Sequence, residues 1–147
     1  MRYLLILLTL SGCAPAYMEP EITPYANSFG QYMSVDLHDV SIKFGDLRSS
    51  SKERVLGVCR TADGHSGDIT IDRSAWLEMD EISREQLIWH ELGHCALARG
   101  HADMLVLTDC GLMPGSIMYP YFFGGDECYR NKIMMYKEAL KNNTIIR

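Results

Sequence analysis

The chain has 147 residues and a formal charge of -5, from 14 basic and 19 acidic side chains. That length supports one domain with a modest core. The mildly acidic balance, with no basic run, argues against nucleic-acid binding.

In chain order, Met1 and Arg2 form a short positive region and residues 3–10 a short apolar one, the pattern of a targeting signal. The apolar stretch is too short to span a bilayer, and no later run reaches the roughly 20 apolar residues of a transmembrane helix. Leu10-Ser11-Gly12-Cys13 resembles the lipobox of bacterial lipoprotein signal peptides. The resemblance implies that residues 1–12 are removed and that Cys13 carries the lipid. Ala14, in place of Asp, leans towards the outer membrane, with the domain facing the periplasm. The lipid would then be the membrane attachment, residues 13–23 a tether, and residues 24–147 the folded domain.

Thr23-Pro24 predicts the start of a helix that runs to about Met33. Val40, Ile42 and Phe44 alternate with polar residues and predict a short strand. Residues 48–54 read as a polar loop, residues 55–60 as a second strand, residues 62–67 as a turn and residues 68–77 as a third strand. Ser83 and Gln86 then form a capping-box pattern, with Ile82 and Leu87 as its hydrophobic staple. From Leu87 to Ala98 the helix is apolar on almost every side, which predicts a buried, central helix. After a Gly-rich stretch, Asp126 predicts the cap of a final helix over residues 127–141, with Ile133, Tyr136 and Leu140 at helical spacing. Cys59, Cys95, Cys110 and Cys128 are an even number in an oxidising compartment, so two disulfides are expected, with three pairings open.

The buried helix carries His90-Glu91-Leu92-Gly93-His94. The spacing of four places both imidazoles on one face, one turn apart, where they can hold one metal ion with Glu91 beside its open position. His101 is the candidate third ligand. On a continuing helix it would lie roughly 10 Å beyond His94, too far to share an ion. The helix must therefore end near Arg99 and turn back, with Gly100 as the residue suited to the reversal. Asp103 and Asp109 are the reserve ligands. His38 and His65 read as surface loop residues.

This segment resembles the metzincin zinc peptidases, whose signature is H-E-x-x-H-x-x-G-x-x-H followed by a Met-turn. Ser116-Ile117-Met118-Tyr119-Pro120 resembles that turn, with Met118 as the floor of the site. Three positions depart from the pattern. Leu97 stands where the family has Gly, and His101 falls seven rather than six residues after the second histidine. Pro120 also stands where astacin-like members carry Tyr. The resemblance implies an α+β, zincin-like domain, with a short twisted sheet packed on a buried active-site helix, a Met-turn and a C-terminal helix. It implies one zinc ion held by His90, His94 and His101. It also implies a metalloendopeptidase that hydrolyses peptide or protein substrates through a zinc-activated water, with Glu91 as general base. An extended substrate would pair with the strand at residues 68–77 or its neighbour. The competing reading is a non-catalytic zinc-binding envelope lipoprotein. Retention of Glu91 separates the two, because a structural site needs no base.

Overall fold

The structure is a computed structural model that describes residues 16–47, 54–61 and 67–146. The elements in order are α1 (Thr23–Met33), β1 (Val40–Gly45), β2 (Gly57–Arg60), β3 (Gly67–Asp72), α2 (Arg73–Glu78), α3 (Glu81–Cys95), β4 (Leu105–Thr108), β5 (Gly111–Pro114) and α4 (Glu127–Asn142). The result is a small mixed α+β domain with four helices and two short sheets. Cys13 and His65 lie outside the described residues.

The main sheet has the order β1-β3-β2, with β1 parallel and β2 antiparallel to the central β3. Alternation puts Val40 and Ile42 of β1 and Ile69 and Ile71 of β3 into the core. There they meet Leu87, Ile88, Trp89 and Leu92 of α3. Each such side chain contributes about 1.5–3 kcal/mol on full burial. α1 packs on the same helix, with Phe29 edge-on to Trp89 at 5.3 Å between ring centroids. Helix α3 is thus central, as its all-round apolar sequence predicts.

The structure departs from the sequence reading at several places. The strand expected over residues 68–77 ends at Asp72, whose Oδ1 accepts the Ala75 N–H at 2.8 Å and caps α2. The change of element lets Ala75 and Trp76 bury together on one helical face. Helix α3 starts earlier than the capping-box pattern implies. Asp80 is its cap and accepts the Ser83 N–H at 2.9 Å, so Ser83 and Gln86 lie inside the helix. Residues 17–22, expected to belong to a tether, lie on the domain: Met18 bridges to Ile42 of β1 and Ile22 is fully buried. The Gly-rich stretch, to which no element was assigned, contains the β4–β5 hairpin, which turns on Gly111 at φ 96°.

Two cysteine pairs stand at disulfide distance. Cys59–Cys95 joins β2 to the last residue of α3, and Cys110–Cys128 joins the hairpin to the first turn of α4. No helix among the described residues is long and apolar enough to cross a membrane.

Candidate metal centre

The helical spacing of His90 and His94 brings their Nε2 atoms to 3.1 Å. Each ring is fixed from behind by a main-chain carbonyl. His90 Nδ1–H donates to Ile117 C=O at 2.8 Å, and His94 Nδ1–H donates to Arg99 C=O at 2.6 Å. A carbonyl only accepts, so the proton of each neutral ring belongs on Nδ1 and both Nε2 atoms are bare. Two bare lone pairs at this separation repel each other. A cation between them removes the conflict.

His101 completes the group. Its ring centroid lies 4.7 Å from that of His94 and 5.3 Å from that of His90. One ligand atom from each histidine lies within 4.8 Å of the others. Nitrogens bound tetrahedrally at about 2.1 Å from one ion stand about 3.4 Å apart, so the cluster has the dimensions of a three-nitrogen site. Imidazoles held by carbonyls suit zinc and also copper, iron or nickel. Burial first, then the neighbouring histidines, lower the His90 pKa to about 4, against the opposing effect of the Ile117 carbonyl. Partial burial and then His94 lower that of His101. Both shifts favour the neutral, ligating ring.

The chain reversal that brings His101 back occurs at Ala98, not Gly100. Ala98 takes the left-handed conformation at φ 51°, and the Arg99 N–H closes the turn onto Gly93 C=O at 2.9 Å. Gly100 is not among the positive-φ residues, and its α-carbon faces open space. Placing the reversal at Ala98 also aims the Arg99 carbonyl at His94.

The Ser116–Met118 segment is a tight turn. Ser116 Oγ accepts the Met118 N–H at 3.1 Å, and Ser116 C=O accepts the Tyr119 N–H at 3.1 Å. This turn presents the Ile117 carbonyl to His90. It also fixes the segment after His101, because Met118 C=O accepts the Ala102 N–H at 2.8 Å. The Met118 thioether lies directly against Gly93, which stands between His90 and His94 in the chain.

Glu91 is buried, at 4% exposure. Burial raises its pKa to about 7, against the opposing effect of the Cys59 main-chain amide of β2. A β-carbon at Gly57 would come within 2.5 Å of Oε1, so the carboxylate occupies the place of an absent side chain. Glu91 and the three histidines line one cavity of about 770 Å³. Residues 54–59 and the aromatic segment Tyr119–Phe122 line it as well.

No protein-family model, curated protein or solved structure matches the chain.

The remaining sequence candidates stand elsewhere. His38 is exposed and pairs with Asp36 and Asp39. Asp103 is not a member of the histidine group, and Asp109 pairs with Lys132 at 2.6 Å. Asp109 also lies near Cys110 and Cys128, but the disulfide spends both sulfurs. Cys95 is likewise bonded, to Cys59. Sequence reasoning missed the Ile117 and Arg99 carbonyls, which leave no trace in residue type. It also missed Gly57, which becomes legible only when β2 is laid across α3.

Proposed function

We propose that this chain is a zinc-dependent metalloendopeptidase of metzincin-like type. We further propose that lipid at Cys13 anchors it to the bacterial outer membrane, facing the periplasm. The observation that carries the reading is the convergence of three imidazoles, two with their bare nitrogens face to face, beside a buried carboxylate in an open cavity. A structural zinc site closes all four positions with protein ligands. The cluster holds three ligands among the described residues, which leaves one position for water or substrate.

A bound zinc ion supplies Lewis acidity to a water and to the substrate carbonyl. Glu91 supplies the proton transfers. It would accept a proton from the attacking water, then return that proton to the nitrogen as the C–N bond breaks. β3 is the central strand, so edge pairing with an extended substrate falls to β2, whose residues line the cavity.

The test is metal analysis of protein lacking residues 1–13, beside its Glu91→Ala variant. Both should carry about one zinc per chain, and only the protein with Glu91 should cleave peptides. Absence of stoichiometric metal would remove the site, and equal cleavage by both would remove the mechanism. For the anchor, Cys13→Ser should release the protein from membranes.

A further inference from the structure

Two arginines, Arg54 and Arg99, border the histidine cavity. Arg54 is already engaged, with Glu78 at 2.8 Å and the Ser74 hydroxyl at 2.9 Å. Arg99 is partly buried, yet its side chain makes no ion pair or hydrogen bond among the described residues. Only its Nε is sealed from solvent. The two terminal nitrogens are open and without a partner among the described residues. Carboxylates are not scarce in a chain with 19 acidic and 14 basic side chains. A partly buried cation left unpaired beside the histidines therefore calls for an anion from outside.

The surroundings of Arg99 suit one. Arg99 and Gly100 border both the histidine cavity and a second depression of about 400 Å³. No acidic side chain lines that depression, so nothing on its walls repels a carboxylate. The exposed side chains of Asn143 and Thr144 add an amide and a hydroxyl. The α-carbon of Gly100 faces open space, so the ground between the two hollows is clear at that point. The root of the arginine is also fixed against the site, because Arg99 C=O accepts the His94 Nδ1–H at 2.6 Å.

We propose that Arg99 is a specificity residue that receives an acidic side chain of the bound peptide in this depression. The inference rests on the metallopeptidase reading and names its substrate class: peptides with a glutamate or aspartate close to the cleaved bond. The planar guanidinium pairs with a carboxylate through two parallel hydrogen bonds, which a neutral carboxamide cannot reproduce.

A casein digest first identifies the peptide that the zinc-loaded wild type cleaves fastest. A synthetic series, amidated at the C-terminus, then places one glutamate or one glutamine at each position of that peptide in turn. At one position glutamate should raise kcat/KM about 10- to 100-fold over glutamine, the range for a charged hydrogen bond. In Arg99→Met this ratio should fall close to one, and Arg99→Glu should favour lysine at the same position. Each ratio is taken within one protein, so losses of zinc or of folded fraction cancel. A wild type with no glutamate preference at any position would overturn the inference without recourse to a variant. So would a preference that survives in Arg99→Met. A gain that appears only when the peptides carry a free C-terminus would assign Arg99 to the chain end and overturn the side-chain assignment. A zinc-loaded wild type that cleaves nothing in the digest would overturn the proposed function, and this inference with it.

Discussion

The carboxylate of Glu91 rests on the α-carbon of Gly57, leaving no room for a β-carbon, which would stand 2.5 Å from Oε1 and 2.8 Å from Cδ. The neighbour that must yield is a side chain, not main chain. Gly57→Ala should therefore fold and displace Glu91. A displacement near 1 Å costs about 100-fold in turnover. We expect kcat/KM against a cleaved peptide to fall by about that factor, with zinc content unchanged. Wild-type kinetics in Gly57→Ala would show that the position of Glu91 is not critical.

Gly93 and Met118 form a second close pair, on the far side of α3 from Glu91's strand contact. A β-carbon at position 93 would overlap the Met118 sulfur and stand 3.2 Å from its Cε. Gly93→Ala should destabilise the domain by about 1–3 kcal/mol, the usual range for overpacking. Adding Met118→Ala should remove the clash, so the double variant should lose less stability than the two single losses combined. Urea unfolding of the four proteins measures this. Strict additivity would mean that the two side chains do not meet.

The third ligand can be separated from its neighbour by zinc titration. Loss of an outer-shell partner costs up to about 100-fold in metal affinity, so loss of a ligand should exceed that. His101→Ala should cross this threshold, and Asp103→Ala should leave affinity near wild type. The opposite order would move the ligand assignment to the aspartate.

Asp72 sets an acid limit on stability. The Ser74 hydroxyl, then the Ala75 and Leu47 amides and Arg54, lower its pKa from 3.8 to about 2 against the opposing effect of burial. A lowered carboxylate pKa means that the unfolded chain takes up the proton first. The stability it supplies is complete above pH 3.8 and is lost as the pH falls through about 2. Asp72→Asn can still cap α2 but cannot titrate. Its Tm should lie below wild type at pH 6, and the gap should close as the pH approaches 2. A constant gap across that range would remove Asp72 from the acid response.

The helix that carries the histidines was legible because its apolar residues and its ligand spacing both follow the helical repeat. The two histidines on α3 needed only that repeat to meet. His101 needed a turn, and the turn formed at Ala98 rather than at the more permissive Gly100. A left-handed residue elsewhere is set by where the chain must go next, which local composition does not record. The strand assigned to residues 68–77 failed for a local reason. Its apolar positions fit a strand only up to Asp72, where a carboxylate that could cap a helix did so. The β4–β5 hairpin escaped notice because its alternation is inverted. Leu105, Leu107 and Leu112 point outward, and Leu107 is 81% exposed. The metzincin resemblance rested on side chains, whereas half of what holds the rings is main chain.

The Cys59–Cys95 bridge has a mechanical consequence. It ties the edge strand to the end of the helix that carries the histidines, so these two walls of the cleft are held at a fixed separation. The facing lip, Tyr119–Phe122, carries no such tie, and Tyr121 and Phe122 stand out into solvent. Of the cavity walls, Tyr119–Phe122 is therefore the one that no covalent bond ties to the helix of the histidines.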